Sequence, residues 1–126
     1  MAGLTATNIT TYLAKWRDRG YTVTEITGTS TDASEVAAAV TGKAIVVIGF
    51  VLDCNTNGIS VAFLSAATAK WTLYFPVAGS VIVKNLNLQC AVSEAFNLNK
   101  SDGTSALTGY IVWKACKLGE VVQGWD

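Results

Sequence analysis

A chain of 126 residues with nine basic and nine acidic side chains and no histidine has room for one domain, and its balanced charge gives no footprint for nucleic acid, which asks for clustered Lys and Arg. Hydrophobic residues make up 51% and charged residues 14%, against about one quarter charged in an ordinary soluble domain, so something other than water is expected to cover part of the surface. The apolar run at 44–52 would span only about 14 Å as a helix where a hydrocarbon core is about 30 Å thick, which excludes a membrane-spanning helix there and favours other protein chains as the cover.

The chain opens with a helix signal. Thr7 or Asn8 can cap a turn, Ile9, Tyr12, Leu13 and Trp16 fall at helical spacing, and Gly20 follows the basic Arg17 and Arg19 where a glycine stop belongs. A short amphipathic helix is expected over 8–19. Residues 1–9 lack the basic segment and apolar core of a secretory signal, so the chain is expected to stay where it is made or to leave by assembly or lysis. From Tyr21 the pattern changes: Tyr21, Val23 and Ile26 are interleaved with Thr and Glu, which reads as a β-arm, and 28–34 is a polar connector.

Beyond the connector, strands are expected at 35–40, 44–52, 59–64, 70–75, 80–83, 86–90, 95–99 and 107–117. Turn residues separate them, among them Asn55-Thr56-Asn57-Gly58, Ala78-Gly79 and Ser101-Asp102-Gly103. This spacing predicts a mainly β fold: a single jelly-roll-like β-sandwich of seven to eight strands with a short N-terminal helix and β-arm. The expected division is 1–34 for helix, arm and connector, 35–118 for the sandwich body, and 119–126 for a tail that carries Val121, Val122 and Trp125.

Little in the chain speaks for catalysis. The absence of histidine removes the commonest general base, the Ser-His-Asp triad and most transition-metal sites, so no enzyme, cofactor or metal is expected. Asp53 and Glu94 are the carboxylates a fold could bring together, with solvated strand-end charges as the plainer reading. Cys54, Cys90 and Cys116 are odd in number and lack a CxxC pair, which suggests free, buried side chains. Trp71, Tyr74, Tyr110 and Trp113 could line a sugar or protein site, although Phe63, Phe75 and Trp113 lie in alternating strands where rings more often fill a core.

The body also resembles a family of small β-sandwich proteins in tailed-phage virions. The resemblance rests on Gly42-Lys43-Ala44-Ile45-Val46-Val47, Ser60-Val61-Ala62-Phe63-Leu64-Ser65, Thr72-Leu73-Tyr74-Phe75-Pro76, Glu94-Ala95-Phe96-Asn97-Leu98-Asn99 and Thr108-Gly109-Tyr110-Ile111-Val112. The chain departs from that pattern at Ser93-Glu94-Ala95-Phe96 and at Val77-Ala78-Gly79-Ser80, which replaces a Gly-Trp-Phe element. The resemblance implies a jelly-roll virion module, commonly trimeric, with no catalytic residues.

The function expected from it is structural. A capsid decoration (cement) protein would bind the outer capsid surface as a homotrimer and stabilise neighbouring subunits, its partners being itself and the major capsid protein, not nucleic acid or membrane. Ile9, Tyr12, Leu13, Trp16, Tyr21, Val23 and Ile26 are the capsid-contact candidates, since a helix and a β-arm outside the body suit docking onto another chain. The competing reading of the helix is a cover over an open end of its own sandwich. The competing function is a tail fibre, spike or receptor-binding module that contacts host glycans.

Overall fold

The two most apolar segments, around Ile45 and Ile111, lie side by side. The computed structural model describes residues 14–15, 18–28, 34–84, 86–101 and 106–117. Among them are nine strands: β1 (Thr22–Gly28), β2 (Ser34–Ala37), β3 (Lys43–Cys54), β4 (Ile59–Ser65), β5 (Thr68–Phe75), β6 (Gly79–Val83), β7 (Leu88–Gln89), β8 (Phe96–Lys100) and β9 (Leu107–Lys117). All pair antiparallel, in two sheets. The first has the order β1-β9-β3-β6, with β7 also on β3, and the second has the order β2-β8-β4-β5.

The expected β-sandwich is therefore present, and each of the eight expected body strands has its counterpart. Residues 22–28, read from sequence as an arm outside the body, instead form β1, which runs along β9 from Thr22 opposite Trp113 to Gly28 opposite Leu107. An edge strand and a free arm share the same local alternation, and only the open edge of β9 decides between them. Of the expected helix, Ala14, Lys15 and Asp18 are helical. The Arg19 N–H donates to the Lys15 carbonyl at 3.3 Å, and Gly20 turns the chain with φ 87°. Ile9, Tyr12, Leu13, Trp16 and the tail 119–126 lie outside the described residues.

Between the sheets sits the main core, built from Ile45, Val47, Phe50 and Leu52 of β3 against Val61, Phe63, Leu73, Phe75, Phe96 and Leu98 of the second sheet. Phe63 is its hub, with ring centroids 5.2 Å from Phe50, 5.1 Å from Trp71 in an edge-on arrangement, and 5.7 Å from Phe96. Each fully buried Phe contributes about 1.5–3 kcal/mol of transfer free energy.

Strict alternation from Ile45 would put Phe50 on the wrong face. A slip in the β3–β9 register corrects it: Val47 opposes Trp113 and Gly49 opposes Val112, leaving Ile48 as the extra residue. The bulge resets the phase, so Ile45 and Val47 before it and Phe50 and Leu52 after it all reach the same core.

The outer face of the first sheet is apolar as well. Tyr21, Val46, Ile48, Val51, Val112 and Cys116 form a second cluster, with Val23, Ile82 and Tyr110 packed against it. Ile48 and Val112 are fully buried there. Of the twelve residues of β3, ten are buried, which is why its sequence is a continuous apolar run and not an alternating one.

Candidate functional site

The polar groups gather at the two ends of the sandwich. At one end, Asn55 closes the turn after β3: its side-chain oxygen accepts the Ala106 N–H at 2.9 Å, while its own N–H donates to the Ala106 carbonyl at 3.2 Å. In the same turn the Asn57 side-chain oxygen accepts the Ala78 N–H at 2.7 Å, so two asparagines tie three loops together. Asp53, beside them, accepts the Ser80 hydroxyl at 3.0 Å.

The other end holds Glu94. Its neighbour Ser93 donates its N–H to the carbonyl of Lys43, the first residue of β3, and accepts the Gly42 N–H at 3.0 Å through its side chain. The length of β3 therefore separates Asp53 from Glu94, about 30 Å at the usual rise per residue, whereas paired glycosidase carboxylates stand about 5–9 Å apart. The two acids are not a pair.

What Glu94 does have is Ser65. The Ser65 hydroxyl, fully buried at the end of β4, donates to Glu94 Oε1 at 2.6 Å and accepts the Ala91 N–H at 2.9 Å. Cys90 lies against the same hydroxyl. Burial pushes its thiol above the ordinary value, with the hydrogen bond to Ser65 and the charge of Lys70 pulling the other way. A serine beside a carboxylate can in principle lose its proton to it. Here the hydroxyl is enclosed and holds the Ala91 N–H, so its evident work is fastening β4 to the loop between β7 and β8. Sequence reasoning singled out Glu94 for a different partner and passed over Ser65, whose one signal was a polar residue closing an otherwise apolar strand.

The three cysteines are buried thiols outside any disulfide. Among the described residues, no cluster of three or more Cys, Asp or Glu side chains is placed to hold a metal ion.

The aromatic candidates divide. Trp113 packs against the main core, and its indole N–H donates to the Thr24 hydroxyl at 2.9 Å, binding β9 to β1. Trp71 is half-buried against Phe63 and Phe50. Tyr110 stands on the outer face of the first sheet, its hydroxyl donating to Glu25 at 3.4 Å. Only Tyr74 of the four is widely open, at 57% exposure, and Val77 in the following turn is 67% exposed. Pro76 and Ala78 are exposed between and beside them, which makes this turn an apolar corner at the Asn57 end.

Of the seven expected capsid-contact residues, the structure describes three. Tyr21 is buried with the Lys114 ammonium 5.7 Å from its ring centre, Val23 is half-buried beside it, and Ile26 packs against the inter-sheet core. Sequence gave no sign of these separate fates, because alternation does not say which edge a strand joins. No family model matches the chain, and no curated protein or solved structure matches it either.

Proposed function

We propose that the protein is a structural virion component, a capsid decoration (cement) protein of a tailed phage that binds the major capsid protein on the outer shell as a homotrimer. The observation that carries this reading is the strand order. Counting β6 and β7 as one edge, the orders β1-β9-β3-β6 and β2-β8-β4-β5 support a jelly-roll reading, in which paired strands fold over together and the chain crosses repeatedly between the sheets. Virion modules of this kind are what the sequence resembles, and fold alone would not choose among functions.

The mode of action follows from multivalency. A trimer on a symmetric shell makes its second and third contacts intramolecularly, so weak patches add to a firm grip across neighbouring subunits. Tyr21, Val23 and Ile26 are committed to the first sheet and make poor contact residues. The exposed corner at Tyr74, Pro76 and Val77 is the better shell contact, since exposed apolar groups clustered at a turn gain most from being covered.

The test combines light scattering with co-sedimentation on undecorated capsids. The expected result is three times the 13.3 kDa chain mass and saturable binding that Val77→Asp abolishes without shifting thermal unfolding. A monomer that ignores capsids overturns the reading. The open ring of Tyr74 also favours a second one, a fibre or receptor-binding module, for which binding to a glycan array lost on Tyr74→Ala is the expected result.

A further inference from the structure

We infer that Asn57 is a modification site: the backbone nitrogen of Gly58 attacks its side-chain amide and expels ammonia, and the fold sets the rate through the hydrogen bond that holds the Gly58 N–H. This does not rest on the virion reading, since it needs only the turn between β3 and β4.

Of the chain's asparagines, only Asn57 is followed by glycine, whose nitrogen is the least hindered nucleophile a peptide bond can offer because no β-carbon stands beside it. The turn itself demands both residues. Gly58 sits at φ 74°, where a side chain is strained, and the Asn57 side-chain oxygen accepts the Ala78 N–H at 2.7 Å. Both residues are exposed, so water and hydroxide reach them.

Hydroxide takes the Gly58 amide proton, the nitrogen bonds to Cγ of Asn57, and the side-chain nitrogen leaves as ammonia with a proton from water, which closes a succinimide and returns the hydroxide. Water then opens the ring at either carbonyl and leaves aspartate or isoaspartate. Aspartate keeps an oxygen for the Ala78 N–H and adds a negative charge at the end that holds Asp53. Isoaspartate lengthens the backbone by a carbon, which shifts Gly58 relative to the Phe75 carbonyl.

Two contacts bear on the rate in opposite senses. The Ala78 N–H polarises the carbonyl under attack and favours the reaction. The Gly58 N–H donates to the Phe75 carbonyl at 2.7 Å, so the proton that must leave is held by an acceptor that does not remove it. Polarisation achieves nothing until the nitrogen is deprotonated, and the second contact therefore governs. The reaction waits for local opening of the turn, which Asn55 also fastens, its side-chain oxygen on the Ala106 N–H at 2.9 Å.

The experiment incubates the full chain in mildly alkaline buffer, folded and in urea, and follows each asparagine by peptide mass mapping that separates aspartate from isoaspartate. Ammonia loss is expected at Asn57 ahead of every other asparagine, as a mixture of both products, and at least about tenfold slower folded than in urea. Asn55→Ala loosens the turn without touching the reacting pair and should speed the folded reaction. Leu98→Ala, which weakens the inter-sheet core, should leave it unchanged.

An Asn57 that survives in urea while other asparagines change overturns the site. Equal rates folded and in urea overturn the control by the fold, and that comparison uses the unaltered protein whether or not either variant folds. A folded rate that Asn55→Ala leaves unchanged, or that Leu98→Ala raises as much, overturns the local turn as the gate.

Discussion

Gly109 of β9 lies so close to the Val51–Leu52 peptide of β3 that a β-carbon on it would stand 2.9 Å from the Val51 carbonyl carbon, 3.0 Å from the Leu52 α-carbon, and in overlap with the Val51 carbonyl oxygen. The residue is paired on both sides, to Ile26 and to Leu52, and has φ 145°, so neither strand can step aside for a side chain. Gly109→Ala is expected to lose about 3 kcal/mol or more in urea unfolding. Gly42→Ala makes the contrast: it has φ 78° with open space around it and should lose only about 1–2 kcal/mol, from backbone conformation alone.

The turn joining β4 to β5 runs through Ala66 at φ 50°, a conformation that alanine resists and glycine does not. Ala66→Gly removes about 1–2 kcal/mol of local strain and adds about 0.5–1 kcal/mol of chain entropy cost, so a small gain in stability is expected. A higher thermal midpoint would show it. An unchanged or lower midpoint would mean that the added chain entropy cost of glycine matches or exceeds the strain relieved.

Ser65→Ala leaves both Glu94 and the Ala91 N–H without the hydroxyl they share. A loss of about 1–3 kcal/mol is expected in denaturant unfolding. Glu94→Gln keeps an acceptor oxygen in place and should lose less than Ser65→Ala. The reverse order would mean that the carboxylate charge, not the hydroxyl, holds the loop.

Cys90 predicts an alkaline limit to stability. Burial, the largest cause, raises its folded thiol above the unfolded value of about 8.5, so the protonated thiol is the form the fold favours. The contribution is fully present below about pH 8.5 and is lost as pH rises toward the raised folded value, because there the unfolded chain gives up a proton that the folded chain retains. Unfolding free energy should therefore fall above about pH 8.5, and Cys90→Ala should make that fall shallower. Parallel pH profiles for the two proteins would remove Cys90 as the cause.

The strands were legible in the sequence because their signals are local. Runs such as Ile59 to Phe63 carry period-two burial, and the Asn55 to Gly58 turn has the residues a tight reversal demands. The place of 22–28 was not legible: Tyr21 and Val23 alternate as they would in a free arm, and what decides is the open edge of β9, 85 residues from Glu25 to its partner Tyr110. The bulge at Ile48 was hidden for a similar reason, since a run apolar at every position shows no break in phase. Asp53 and Glu94 stood out as acids, but their separation is a property of the length of β3 and is invisible residue by residue.

Ile45 pairs with Ala115, seventy residues further along, and β9 sits between β1 and β3 in the first sheet. During synthesis β3 leaves the ribosome long before its partner exists. Until β9 arrives, a strand meant to be enclosed on both faces has only β6 and β7 to pair with, and β1 has no sheet to join. Folding must therefore wait for residues 107–117, and the nascent chain in that interval is the form most in need of a chaperone.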